Sequence, residues 1–173
     1  MKKVFFLFLF AIAITSVNGQ VKQDNSGNFI GYAEKSDFLN SQKHKGWFNQ
    51  KYTSYKTDEV VIKKIKKNLK GITVVGFMGT WCGDSKRETP HFYKVMEEAG
   101  FKLGKNFKLV TVNRSKKTPD NLQEGLNIIR VPTFIFYKNG KEIGRYVEYA
   151  RESMEKDILK ILKQEPYKHS YEK

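Results

Sequence analysis

Ile72–Thr73–Val74–Val75–Gly76–Phe77–Met78–Gly79–Thr80–Trp81–Cys82–Gly83–Asp84–Ser85 is the stretch that decides the architecture. Ile72 to Met78 form a short apolar run rich in β-branched residues, which reads as a strand buried on both faces. A turn follows, and from there a helical pattern runs to about Ala99 with Pro90 inside it. That proline removes one backbone donor and crowds the preceding turn, so a kink is expected. Cys82 therefore sits where a buried strand gives way to the start of a helix. A thiol there faces backbone N–H groups without helical partners and the positive end of the helix dipole, both of which favour the reactive thiolate. It is also the only cysteine among 173 residues. No disulfide can form within the chain, so Cys82 is a free thiol, a partner in mixed or intermolecular disulfides, or an inert packed residue.

Working outward, Asp58 is placed to cap a helix whose apolar residues Val60, Val61, Ile62, Ile65 and Leu69 are interleaved with lysines, and Gly71 ends it. Downstream, Phe107 to Val112 reads as a second buried strand and Asn113 to Asp120 as a polar connection. Leu122 to Ile128 is expected to form a short helix. Thr133 to Tyr137 is a third apolar strand, and Lys138–Asn139–Gly140–Lys141 marks a hairpin, because Asn-Gly tolerates the positive φ angles of a type I′ turn. Glu142 to Tyr149 supplies the returning strand. A last helix from about Arg151 to Leu162 buries Met154, Ile158, Leu159, Ile161 and Leu162. The strand–helix–strand portion predicts a parallel crossover and the hairpin an antiparallel pair, hence an α/β fold with a mixed central sheet flanked by helices.

The flanks read differently. Lys2 and Lys3, the apolar run Val4 to Ile14 and the small or polar residues to Gly19 have the layout of a secretory signal peptide over residues 1–19, with an uncleaved anchor as the alternative. Residues 20–57 are expected to be an extension packing on the domain. Val21 to Gly27 reads as a loop, Phe29 to Ala33 as a short strand, and Phe38, Leu39, Trp47 and Phe48 as packing residues. The domain proper spans residues 58–165, and residues 166–173 form a polar tail expected to fray. The formal charge of +14 comes from lysines scattered along the whole chain. It describes a generally basic surface suited to weak association with acidic partners, rather than a nucleic-acid site. No histidines or acids fall at metal-ligand spacing, and no cofactor is implied. His91, nine residues after Cys82, should face away from the thiol, so no cysteine–histidine pair is expected.

Between Asp58 and Lys163 the chain resembles the thioredoxin family. Trp81–Cys82–Gly83–Asp84–Ser85 lies where that family carries Trp-Cys-x-x-Cys, and Pro90 falls where it has a helix-kinking proline. Val131–Pro132–Thr133 and the following strand with its Asn-Gly hairpin look like the family's cis-proline strand. The resemblance implies a thioredoxin-like fold, with Cys82 as the exposed attacking sulfur and Pro132 as a cis proline beside it. Trp81, Gly83, Asp84, Val131 and Thr133 would then form the surface that docks a substrate peptide.

The departures carry as much information. Ser85 stands where the family has its second cysteine, and a hydroxyl cannot attack a mixed disulfide to release product. A complete dithiol cycle within this chain is excluded by composition. The Ser85 hydroxyl either donates a hydrogen bond to the Cys82 thiolate or serves as a helix-surface cap. The family's buried acid falls at Gly76, and its loss fits the loss of the thiol it serves. Asp84 replaces a proline and brings a like charge toward the thiolate. The function implied is monothiol thiol–disulfide exchange, whether as oxidoreductase or isomerase. Cys82 would attack a client protein or small-molecule disulfide, or an oxidised thiol, and an external thiol reductant would resolve the mixed disulfide. The alternative is a redox-inactive binding or chaperone-like module. The leader and the resemblance together imply a periplasmic or secreted location without stable membrane insertion after cleavage.

Overall fold

A computed structural model describes residues 21–172. The expected signal segment, residues 1–19, lies outside the described residues. The elements in chain order are β1 (Lys22–Gln23), β2 (Phe29–Ala33), α1 (Lys35–Asn40), α2 (Lys45–Ser54), α3 (Glu59–Lys67), β3 (Ile72–Met78), α4 (Gly83–Glu98), α5 (Leu103–Asn106), β4 (Phe107–Thr111), β5 (Thr133–Lys138), β6 (Lys141–Val147) and α6 (Met154–Lys163). They build one six-stranded sheet in the order β1-β2-β4-β3-β5-β6. Only β3 and β4 run parallel; the other neighbours are antiparallel. The mixed sheet flanked by helices is the one the sequence implies.

Local chemistry explains the boundaries. The Asp58 carboxylate accepts the N–H groups of Val60 and Val61 at 2.9 and 3.1 Å and so starts α3. Val61, Ile62 and Ile65 are buried, but Val60 points outward at 61% exposure, so the apolar stripe is narrower than expected. The hairpin between β5 and β6 turns at Asn139 (φ 52°) and Gly140 (φ 83°), both left-handed as a type I′ turn requires. Strand β6 stops at Val147, short of the expected Tyr149. Glu148 turns to φ 63° there and donates its N–H to the Pro132 carbonyl at 2.7 Å.

The two faces of the sheet are packed unequally. On one, Ile72, Val74 and Met78 join Phe107, Leu109, Phe134, Phe136 and Tyr146 under the buried sides of α3, α4 and α6, with Phe92 stacked on Phe134 at 4.1 Å. On the other, Phe77, Val110, Val112, Val131 and Ile135 are covered by Trp81 and by Leu122, Leu126 and Ile128. The cover is not the expected helix over Leu122 to Ile128 but a run of turns. Asn121 (φ 49°), Gly125 (φ 73°) and Asn127 (φ 50°) adopt left-handed conformations that no right-handed helix accommodates. Thr118 Oγ1 accepts the Leu122 N–H, while the Gln123 side chain accepts from the Thr118 N–H and hydroxyl; such local bonds compete with helical ones.

The N-terminal segment extends the sheet. Strand β2 pairs with β4, and β1, inside the stretch expected to be loop, pairs with β2. Helices α1 and α2 bury Phe38 and Phe48 completely in an aromatic cluster with Phe29, His44 and Trp47, while Leu39 stays at the surface. Within the expected tail, residues 166–172 lie against the domain. Gln164, at φ 55°, closes α6 and turns the chain back. Tyr167 then packs against the core with its hydroxyl 3.4 Å from Asp157, and the Ser170 hydroxyl donates to the Val147 carbonyl at 3.0 Å.

Candidate functional site

Cys82 is the N-cap residue of α4, in extended conformation (φ −92°, ψ 129°). Its N–H donates to the Gly79 carbonyl at 2.9 Å, and its carbonyl accepts the Lys86 N–H at 3.0 Å. The half-buried thiol donates to the Val131 carbonyl at 3.3 Å. The Val131–Pro132 peptide bond is cis, and Val131, Pro132 and Thr133 are all buried. Segments 49 residues apart in sequence therefore meet at the sulfur. The Thr133 hydroxyl donates to the Arg130 carbonyl at 2.7 Å and braces the proline turn.

Trp81 flanks the thiol, and its indole N–H donates to the Val112 carbonyl at 2.8 Å. The ring lies so close over Gly79 that a Cβ there would stand 2.4 Å from it, which accounts for glycine at that position. Gly83 is exposed beside Cys82 with open space over its Cα. Ser85 is fully buried, and its hydroxyl oxygen accepts the Gly79 N–H at 3.2 Å. It is thus an internal tie across the turn, not the helix-surface cap. Gly76, where the resemblance places the buried acid, is walled off. A Cβ there would meet the Phe107 ring at 2.9 Å and the Phe134 ring at 3.0 Å.

Asp84 is not left as a bare charge beside the thiol. Its carboxylate takes Arg87 Nη2 at 2.7 Å, and Arg87 Nε donates to Glu88 at 2.6 Å. Burial opposes the Arg87 charge, but Glu88 and Asp84 outweigh it and raise its pKa. Glu88 is buried and accepts the hydroxyl of the fully buried Tyr146 at 2.7 Å. Burial, then Glu88, pushes the Tyr146 phenol up. The sequence reading missed this chain of Asp84, Arg87, Glu88 and Tyr146. A signal was present: Glu88 lies three residues after Ser85 and four before Phe92, on the buried stripe of α4. His91 stacks on Tyr55 with ring centroids 4.1 Å apart. Burial, then Arg87 and Lys51, depress its pKa to about 4. No group of three or more metal-ligating side chains occurs among the described residues.

A mixed sheet with one thiol at a helix start, facing the carbonyl before a cis proline, defines the class: a thioredoxin fold with a single cysteine at its site. The thioredoxin family model matches residues 52–163, and the chain belongs to the thioredoxin family. A thioredoxin-like protein of Acanthamoeba polyphaga mimivirus is 31% identical over 90 residues, 52% of this chain and 62% of that protein. A thioredoxin of Malassezia sympodialis is 35% identical over 77 residues, 44% of this chain and 68% of that protein. The chain thus spans less than two thirds of the mimivirus protein. Among solved structures, a Pseudomonas aeruginosa protein of unknown function superposes with a TM-score of 0.58 over 78% of this chain and 93% of that one. At 14% identity, that likeness concerns the fold alone.

Proposed function

We propose that this protein is an exported monothiol thiol–disulfide exchange protein. The observation that carries the reading is the chain's single thiol, Cys82, half-buried at the start of α4 and 3.3 Å from the carbonyl that precedes the cis proline. The Cys82 thiolate attacks one sulfur of a client disulfide. An S–S bond forms to Cys82, and the client's other sulfur leaves as a thiolate. With a client sulfenic acid, the same attack expels hydroxide. An external thiol, as thiolate, then attacks the client sulfur of the mixed disulfide and restores the Cys82 thiolate. Attack on a disulfide and this resolving step each break one S–S bond and make one, whereas attack on a sulfenic acid breaks an S–O bond to make the S–S bond. Thiol–disulfide chemistry in general is what thioredoxin-family membership supports; the monothiol route follows from the single cysteine. Ser85 assists in this account by holding the Gly79 N–H and so fixing the turn that carries Cys82. Residues 1–19 direct export to the periplasm or beyond and are removed; mass analysis of the mature protein should show a chain beginning near Gln20.

Incubation with glutathione disulfide should add one glutathione to Cys82, and free glutathione should remove it. The second reading is a redox-inactive docking module, favoured by the buried Ser85 tie in place of a second thiol. Client capture that survives Cys82→Ser, together with no glutathione adduct on the native protein, would establish that reading and remove the first.

A further inference from the structure

Two arginines, one on the Trp81 ring and one next to Val131, lie near the Cys82 site without an ionic partner among the described residues. The Arg114 guanidinium lies over the Trp81 ring, 5.2 Å from its centroid. Arg130 precedes Val131, whose carbonyl takes the Cys82 thiol, and lies over the Tyr171 ring at 4.9 Å. Both are exposed. Of the nearby acids, Asp84 is paired with Arg87, and Glu148 accepts the hydroxyl of the same Tyr171 that carries Arg130 without forming an ion pair with it. The segment 113–131 that holds both arginines carries four basic residues and two acidic ones.

A guanidinium held against an aromatic face keeps its charge and stays open to a second, anionic partner. Any disulfide that reacts with Cys82 must bring a sulfur to Cys82 Sγ, beside the Val131 carbonyl. Client residues next to that sulfur then lie near Trp81 with Arg114 and near Val131 with Arg130. We propose that the arginine pair selects clients, the preferred partner being an extended peptide with acidic residues close to its disulfide-bonded cysteine. Carboxylates there meet two unpaired charges, whereas lysines meet repulsion. This inference rests on the exchange function proposed for Cys82 and adds the chemistry of its substrate.

The test uses two peptides identical except that aspartates or lysines flank the cysteine, each capped with thionitrobenzoate so that the leaving group is common. Release is followed at low salt, and each rate is divided by the same peptide's rate with neutral mercaptoethanol, which removes intrinsic reactivity. The aspartate peptide should react about tenfold faster than the lysine peptide, and high salt should compress the ratio. Arg114→Gln with Arg130→Gln should bring the ratio down to about twofold, while Arg114→Lys with Arg130→Lys should keep most of it. Equal rates for the two peptides would overturn the proposal, as would a ratio unchanged in the glutamine double variant, which would assign the preference to the chain's general positive charge. Failure of Cys82 to react with either peptide would instead overturn the exchange function itself.

Discussion

Restoring a side chain at Gly76 should weaken the fold, and acid should weaken it most. Gly76 lies in the middle of β3, opposite Phe134 of β5 and Leu109 of β4, and no left-handed φ requires glycine there. On backbone grounds alone, alanine should therefore stabilise by about 0.5–1 kcal/mol. Packing reverses that sign. The new Cβ would stand 2.9 Å from Phe107 and 3.0 Å from Phe134, and both rings are buried in the aromatic stack with Phe92. Overpacking of this kind costs about 1–3 kcal/mol, which leaves Gly76→Ala about 1–2 kcal/mol less stable than the native protein. Gly76→Asp adds a carboxylate among rings that offer it no donor, and should cost several kcal/mol more, about 4 or beyond in all. Urea unfolding measures both, and the alanine variant should lose about 2–8 °C in Tm. Phe107→Leu should soften the alanine penalty when the two are combined, since it withdraws the nearer ring. An alanine variant as stable as the native protein, or an aspartate variant no worse than alanine, would refute this account of how the position became closed to the family's acid.

Glu88→Ala strands the buried Tyr146 hydroxyl and should cost about 2–3 kcal/mol; adding Tyr146→Phe should recover much of it in a denaturant-melt cycle. Ser85→Ala removes the acceptor of the Gly79 N–H and should cost about 1 kcal/mol, and by loosening the turn that carries Cys82 should also slow its exchange about threefold or more in a glutathione-disulfide time course. His91 titrates near its ordinary 6.5 when unfolded but at about 4 in the fold, so the unfolded chain binds more protons between these values. Stability should therefore be full above that window and fall as pH drops through it, by about 1–2 kcal/mol after allowance for partial exposure. Burial lowers His44 as well and acts in the same direction, whereas burial raises Asp157, whose contribution favours the fold in acid and is lost as pH rises past 3.8. His91→Phe, which keeps the stack on Tyr55, should flatten the pH dependence of Tm measured between pH 4 and 6.5.

What the sequence disclosed depended on whether a single local cause was enough. Ile72–Met78 was legible because an apolar β-branched run bounded by glycine has few other fates, and Asn139–Gly140 because its turn chemistry is local. The Asp58 cap and the placing of Cys82 at a helix start were legible for the same reason. Leu122–Ile128 misled because its apolar spacing suits a helix, while Asn121, Gly125 and Asn127 take left-handed conformations that spacing does not report. The docked tail was hidden because Tyr167 and Ser170 gain their partners from β6 and α6, not from neighbours in sequence. At the site, the residue types at Trp81, Cys82 and Pro132 could be read in advance. The closure of Gly76 by Phe107 and Phe134 and the link from Asp84 through Arg87 and Glu88 to Tyr146 required the sheet register and the packing of α4.

The central claim is that the fold makes Cys82 a better attacking sulfur than an ordinary cysteine. The most direct test compares the second-order rate of mixed-disulfide formation with neutral hydroxyethyl disulfide for the native protein and for the same chain unfolded in guanidinium, both at neutral pH. The chain has one thiol, so each rate belongs to Cys82 alone. The native protein should react about tenfold faster or more, as the place of the sulfur at the start of α4 favours. A native protein that reacts more slowly than its unfolded chain would show that the fold shelters the sulfur instead of activating it, and would contradict the account.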